Sequence, residues 1–400
     1  MKEVEKCTAI KNTNLPQLVL PQSLNYIGLF LQFECNLNCK YCINDPEQQS
    51  RRSELFNKRR RSKRNHLTPD EWARGLSRLP SRSDLPITLQ GGEPTLYYGS
   101  KGLGMLLSQV SHHFDLLTNF VLPPELLIEN LLGQENKLRR NAPYPSIRVS
   151  YHAEEMNRIW NNKGFETLIE RCEELNQLGF KVTGDKLTSD IGIYMVSHPS
   201  NQVTRKMQEL SRGRVPFETK EFLGVDKGKL YGHYLYPFST DLLTRHIYTE
   251  TLKAECKTSE LLLDPLGFVW GCHYYLYENW KKGGPLADFE ILESAHFNYK
   301  SIESELFVEN NIRPVGHLLD PHFTLDDLNI YRSCSHYGRC IGCDTKVKND
   351  RYQSYENKGK AHTSVSIRNI KIPFDLASKI EGTEEAKKFI LLEENTRQIT

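Results

Sequence analysis

The sequence predicts an α/β protein whose mostly parallel sheet is followed by a cysteine-rich C-terminal segment. Short apolar segments alternate with helical ones between residues 25 and 225, an order typical of parallel strands covered by helices. Cysteines gather in two places, directly after the first apolar segment and beyond residue 255. The 400 residues are enough for one large domain with an appended module.

The predicted elements follow one another in strict order. Five helices are expected in this region, at 69–79, 101–112, 123–138, 165–178 and 200–211. Six strands are expected, at 26–31, 86–90, 114–119, 146–151, 191–196 and 216–223. The first helix has the clearest start, because Thr68 is a typical N-cap and Pro69 follows it at the first helical position.

Three cysteines directly follow the first strand. Cys35, Cys39 and Cys42 have the spacing C-x3-C-x2-C, which places three thiolates on one tight loop. Thiolates hold iron–sulfur clusters, and three of them leave one iron of a four-iron cluster open to a substrate. A zinc site is the alternative, but it normally needs four protein ligands, and the nearest histidine, His66, lies beyond a highly charged insertion.

This spacing, with Tyr41 just before the last cysteine, resembles the radical S-adenosylmethionine (SAM) superfamily. The resemblance implies a [4Fe-4S] cluster whose open iron chelates SAM, and an electron that cleaves SAM to a 5′-deoxyadenosyl radical. It also implies a partial (β/α)6 TIM-like barrel, with the cofactor at the carboxyl ends of the strands. An electron donor such as flavodoxin or ferredoxin is the expected partner.

A second motif follows the second predicted strand. The turn Gly91-Gly92-Glu93-Pro94 resembles the family's G-G-E-P turn, which receives the amino group of SAM. Glycines allow the backbone to approach a ligand closely, and a glutamate offers an anionic acceptor to an ammonium group. Proline stiffens the turn. We therefore expect all four residues to bind the cofactor.

Polar residues also end the later strands, where function lies in such barrels. The candidates are Thr118, Asn119, Ser150, His152, Ser197, His198, Glu218 and Lys220. The resemblance implies that groups at the fourth and fifth strand ends contact the carboxylate and ribose of SAM. Ser150 is the best single candidate, and Asn119 is a second expected cofactor contact. For each residue, a simple capping role is an equal alternative.

The C-terminal segment contains five further cysteines. Residues 256–272 are predicted to form two strands around an Asp-Pro-Leu-Gly turn, with Cys256 and Cys272 at the outer ends facing one metal centre. The spacing C-x10-G-x4-C resembles the SPASM and "twitch" extensions, which implies an auxiliary [4Fe-4S] cluster. Two of Cys334, Cys340 and Cys343 complete its ligands, and the tight spacing favours the last two. A four-cysteine zinc site is the alternative.

The expected domains are an N-terminal segment (1–24), the barrel (25–225) with a basic insertion (45–66), the extension (226–370) and a C-terminal helix (371–400). A closing strand over the site is expected at 362–367. The insertion is arginine- and lysine-rich at 51–64, which is typical of a solvated loop and, less so, of a nucleic-acid contact.

The formal net charge of +2 gives no general attraction to nucleic acid or anionic membranes. The sequence shows no apolar signal core and no run of membrane-spanning length, so a cytoplasmic protein without membrane contact is expected. The leading hypothesis is an enzyme that abstracts a hydrogen atom from a peptide or protein side chain. The alternatives are a radical enzyme acting on a sugar, aminoglycoside or nucleoside, and a non-catalytic metal-binding nucleic-acid module.

Overall fold

The computed structural model describes residues 15–22, 24–39, 66–139, 144–185, 187–196, 201–220, 224–226, 229–231, 252–258, 260–273, 275–276, 314–329, 332–337 and 365–371. The basic insertion up to residue 65 and the expected C-terminal helix beyond residue 371 lie outside the described residues.

Six parallel strands lie side by side in chain order. They are β1 Tyr26–Gln32, β2 Ile87–Gly91, β3 Phe114–Thr118, β4 Ile147–Tyr151, β5 Ile191–Val196 and β6 Phe217–Lys220. All six were predicted from the sequence, with small differences at their ends. An α/β fold with a mostly parallel sheet is therefore confirmed, and it is consistent with a partial (β/α)6 barrel.

Helices connect these strands. They are α1 Pro69–Leu76, α2 Gly102–Gln109, α3 Pro124–Leu131, α4 Glu135–Leu138, α5 Ala153–Ile159, α6 Gly164–Glu174 and α7 Asn201–Ser211, with short 3-10 segments at Pro94–Leu96, Leu175–Leu178 and Asp326–Asn329. In the described part of the chain, no helix is long and apolar enough to cross a bilayer.

The helix predictions hold except in two places. The single helix expected at 123–138 is two helices, and Gly133 with φ of 75° lies between them. Helix α5 was not predicted. The predicted N-cap of α1 is confirmed, because Thr68 and Glu71 form a reciprocal capping box.

The core occupies both faces of the parallel sheet. Ile27, Leu29 and Leu31 are almost fully buried on one side of β1, and Phe30 is buried on the other. Burial on both faces is what a parallel sheet with helical connections requires. Each such apolar side chain contributes roughly 1.5–3 kcal/mol to folding.

Three more strands extend this sheet beyond β1. Numbered in chain order, after β7 to β9 of the smaller sheets described below, they are β10 Glu260–Leu263, β11 Phe268–Trp270 and β12 Gly316–His317. Strand β10 runs parallel to β1, while β11 and β12 add antiparallel pairs. The predicted turn is confirmed, and Gly267 adopts the left-handed φ of 86° in it. Part of the segment that the sequence assigned to the extension thus continues the main sheet.

The remaining described strands form two small sheets. Strands β7 Gly224–Asp226 and β8 Lys229–Tyr231 pair with each other, and β9 Leu252–Thr258 lies between β13 Arg332–Tyr337 and β14 Val365–Lys371. The strand expected at 362–367 is therefore β14, paired with β9.

The predicted hairpin is wrong at its outer end. The chain changes sheets between β9 and β10, so Cys256 is not part of the hairpin that leads to Cys272. Hairpin register alone does not bring the two cysteines together.

Candidate cofactor site

Parallel pairing of β1 with β2 brings the two sequence motifs together at their carboxyl ends. Beyond the last strand pair, Gly92 N–H donates to Gln32 O at 2.8 Å and Glu93 N–H donates to Glu34 O at 2.8 Å. The Gln32 side-chain amide donates to Glu93 O, also at 2.8 Å. The turn after β2 and the cysteine loop after β1 are therefore hydrogen-bonded to each other.

The two glycines of the turn are needed for this contact. A Cβ atom at Gly91 would lie 2.0 Å from Gln32 O, and one at Gly92 would lie 2.1 Å from Glu34 O. Gly91 also has φ of 143°, a conformation that favours glycine. The sequence argument assigned the glycines to the close approach of a ligand. Their neighbours in the structure are main-chain atoms of Gln32, at the end of β1, and of Glu34 in the cysteine loop, and the close approach of a ligand stays a prediction.

The Glu93 carboxylate is buried and bonded within the chain. Its Oε1 accepts from Thr95 N–H at 3.0 Å, from the Thr95 hydroxyl at 2.6 Å and from the Thr118 hydroxyl at 2.7 Å. Its Oε2 accepts from Asn119 N–H at 2.6 Å. Burial raises the pKa of Glu93, and these hydrogen bonds oppose that shift. These bonds join the turn to the end of β3, and the direct contact with the SAM ammonium group expected from the sequence stays a prediction.

The surroundings of Cys35 suit a metal-bound thiolate. Its sulfur accepts from Leu37 N–H at 3.4 Å and from the Asn119 side-chain amide at 3.6 Å. Neither Cys35 nor Cys39 forms a disulfide bond within the described residues. Donors of this kind stabilise the negative charge on cluster ligands, so the described residues fit an iron–sulfur cluster. Cys42 and Tyr41 lie outside the described residues.

A further contact ties the cysteine loop to the helix after β4. Asn38 N–H donates to the Glu155 carboxylate at 3.4 Å, and the same oxygen pairs with Arg158 at 2.8 Å. The loop is thus held by β2, β3 and α5.

The polar residues at the other strand ends occupy the same edge of the sheet. Ser150 on β4 pairs in register with Tyr194 on β5, and Tyr194 pairs in register with Glu218 on β6. His152 follows β4, and burial lowers its pKa to about 4, so its ring is neutral near pH 7. Lys220 ends β6. Ser197 and His198 lie outside the described residues.

Cys272 follows β11. The next residue, His273, has Nδ1 2.9 Å from the buried Glu260 carboxylate. The His273 ring lies beside β1, with its centroid 6.1 Å from that of Tyr26 and 6.0 Å from that of Phe30.

Two other cysteines lie on adjacent strands of the three-stranded sheet. Cys334 on β13 pairs in register with Ala254 on β9, and Cys256 on β9 pairs with Arg332 on β13. Within the described ranges, no group of three or more histidine, cysteine, aspartate or glutamate residues lies close enough together to bind a metal ion. Cys340 and Cys343 lie outside those ranges.

Sequence reasoning missed two features of the site. It named Asn119 as a cofactor contact but did not foresee its bond to Cys35. It also missed Arg171, whose guanidinium donates to the carbonyls of Phe120 at 3.3 Å, of Val121 at 2.9 Å and of Leu122. No sequence signal marked Arg171, because it lies about 50 residues along the chain from its partners.

The family model described as the radical SAM superfamily matches residues 30–195. No curated protein matches the chain. Among solved structures, Streptococcus suis SuiB bound to S-adenosylmethionine is similar at 12% identity and a TM-score of 0.39, covering 77% of each chain. SuiB bound to precursor peptide SuiA is similar at 13% identity and a TM-score of 0.37, covering 71% of this chain and 64% of that one. Likeness at this level carries no argument about the substrate of this chain.

Proposed function

We propose that this chain is a radical SAM enzyme that cleaves SAM reductively and abstracts a hydrogen atom from its substrate, because residues 30–195 match the radical SAM superfamily model. The family implies a [4Fe-4S] cluster and SAM as cofactors. Since its members are enzymes, the alternative of a non-catalytic nucleic-acid module is set aside.

One observation carries the proposal: the loop of Cys35 and Cys39 is hydrogen-bonded to the Gly91-Gly92-Glu93-Pro94 turn. A cluster held by Cys35, Cys39 and Cys42 would supply the electron that breaks the SAM sulfonium bond. The chain supplies the frame around it, because Glu93 fixes the turn against β3.

The residues that we propose to bind SAM are those expected from the two motifs and from the strand ends. They are Tyr41, Gly91, Gly92, Glu93, Pro94, Asn119 and Ser150. Backbone groups of the turn and the hydroxyl of half-buried Ser150 are suited to the polar groups of SAM.

The ligand assignment is tested by replacing Cys35, Cys39 and Cys42 singly with alanine. Each variant should lose the SAM-dependent cluster and 5′-deoxyadenosine formation after anaerobic reconstitution. The matched control is Cys172→Ala, because Cys172 is buried in α6, outside both cysteine groups. Unchanged 5′-deoxyadenosine formation in any of the three variants would overturn the assignment.

We also propose an auxiliary [4Fe-4S] cluster in the C-terminal segment. Its ligands are Cys256 and Cys272 with two of Cys334, Cys340 and Cys343. The sequence spacing favoured Cys340 and Cys343, and the pairing of β9 with β13 keeps Cys334 as a candidate. Four protein ligands would leave no open iron, so the role we propose is electron transfer without direct substrate binding.

Metal content tests the auxiliary cluster. Two cubanes predict about eight irons per chain after anaerobic reconstitution. Single alanine variants of Cys334, Cys340 and Cys343 should give two that lose the auxiliary cluster and keep SAM cleavage. A chain with about four irons and one zinc would instead establish a zinc site.

The substrate we propose is a peptide or protein side chain. Support comes from the cysteine spacing of the C-terminal segment, which is similar to SPASM and twitch extensions, groups rich in peptide-modifying enzymes. The test is substrate-dependent 5′-deoxyadenosine formation with reduced flavodoxin or ferredoxin. Stimulation by sugars, aminoglycosides or nucleosides, with none by peptides, would favour the small-molecule alternative.

A further inference from the structure

The side-chain amide of Asn119 has a defined orientation. Its Oδ1 accepts from Val121 N–H at 3.0 Å. Its Nδ2 donates to Asn36 Oδ1 at 2.7 Å and to Cys35 Sγ at 3.6 Å. Exchanging the oxygen and nitrogen would place a donor against Val121 N–H and an acceptor against the sulfur. The hydrogen-bond pattern therefore assigns the N–H group to the side of Cys35.

The backbone around Asn119 is held from two sides. Asn119 N–H donates to the Glu93 carboxylate at 2.6 Å. The Arg171 guanidinium donates to three successive carbonyls, those of Phe120, Val121 and Leu122. Arg171 is itself packed over the Trp160 ring, with its guanidinium carbon 4.8 Å from the ring centroid.

Between these contacts the chain adopts a costly conformation. Phe120 is buried and has φ of 53°, in the left-handed region that a bulky side chain rarely enters. Such a conformation is strained and persists only where its surroundings fix it. Phe120 directly follows Asn119. The strained backbone therefore lies next to the residue whose amide is directed toward Cys35.

We infer that Asn119 is a positioning residue that holds the Cys35 thiolate and raises the reduction potential of the cluster bound there. The inference rests on the proposed function, since it takes Cys35 as a cluster ligand. An N–H donor to a ligand sulfur stabilises the reduced cluster more than the oxidised one, because the reduced cluster carries more negative charge. Asn119 thereby eases the electron entry that SAM cleavage requires.

The test is a redox titration of the reconstituted full-length enzyme, followed by electron paramagnetic resonance at the signal that responds to SAM. Asn119→Leu removes the donor at similar volume and should shift the midpoint potential to a more negative value. Asn119→Gln retains an amide and should recover part of the shift. The matched control is Asn130→Leu, because Asn130 is also a buried, fully bonded asparagine, but it joins α2 to α3.

Each outcome bears on the inference. A Leu variant with full iron content and an unchanged potential overturns it and leaves the proposed function intact. A Leu variant that folds as stably as the Asn130→Leu control but loses iron supports the holding role of Asn119. Failure of the proposed function itself is separate, because it would be seen as retained iron and retained SAM cleavage in Cys35→Ala.

Discussion

Glu93 N–H donates to the carbonyl oxygen of Glu34 at 2.8 Å, and this bond joins the turn after β2 to the loop that carries Cys35. The two motifs are about 50 residues apart in the sequence, yet they form one hydrogen-bonded unit. Because the parallel register continues into both loops, substitutions in the turn should affect the cysteine loop directly.

Gly92→Ala tests this unit by steric means. The new Cβ would lie 2.1 Å from Glu34 O, so either the turn or the cysteine loop must move. We expect loss of SAM binding and a markedly lower free energy of unfolding, measured by calorimetric titration and by chemical denaturation. Gly133→Ala is the control, because its Cβ meets nothing within 4 Å and only its φ of 75° is unfavourable. Normal SAM binding by Gly92→Ala would contradict the close contact.

Glu93→Gln tests the buried carboxylate. The amide nitrogen of glutamine cannot accept the bonds that one carboxylate oxygen receives from Thr118 or Asn119. We expect the free energy of unfolding to fall by about 1–3 kcal/mol and SAM cleavage to weaken. Glu129→Gln, at an exposed position on α3, should leave both unchanged. Equal stability of the two variants would show that the Glu93 bonds are dispensable.

Asp264→Asn tests the hydrogen bonds within the β10–β11 hairpin. The buried Asp264 carboxylate accepts from Leu266 N–H at 2.9 Å, from Phe268 N–H at 3.0 Å and from Trp270 Nε1 at 2.9 Å. An amide nitrogen would face one of these donors, so we expect a loss of about 1–3 kcal/mol in unfolding free energy. Tryptophan fluorescence during urea denaturation measures it. Asp84→Asn, which breaks only an exposed pair with Arg82, should change stability far less.

His317 predicts a pH dependence of stability. Leu319 N–H donates to its Nδ1 at 3.1 Å and its Nε2 lies 2.8 Å from Leu266 O, so the neutral ring is fully bonded. Burial lowers the pKa of His317 to about 4. Between pH 6.5 and 4 the unfolded chain binds a proton that the folded chain does not, so stability is lost as the pH falls, by at most about 3 kcal/mol.

His317→Gln should flatten this slope, measured by urea denaturation from pH 4 to pH 7. Some slope should remain, because the pKa of His152 is also lowered by burial to about 4 and titrates in the same window. A slope equal to that of the unsubstituted protein would contradict a buried neutral His317.

Local patterns in the sequence determined the order of the main strands, the alternation with helices and both cofactor motifs. These features follow from short-range chemistry, such as apolar runs, the Thr68 cap and the glycines of the turn after β2. The prediction of one helix at 123–138 was wrong, because the apolar pattern continues through Gly133. The left-handed backbone of Gly133 divides the segment into two helices.

Only the tertiary structure decided which distant groups meet. The bonds from Thr118 and Asn119 to Glu93, the bond from Asn119 to Cys35 and the carbonyls held by Arg171 join residues that lie far apart in the sequence. The hairpin around Asp264 carries a local turn signal, but its pairing with β1 is a long-range choice of sheet edge. The placement of Cys256 on β9 is another such choice, and it separates that cysteine from the hairpin. Pairing partners of this kind depend on the free energy of the whole assembled sheet, and no short stretch of the chain encodes that quantity.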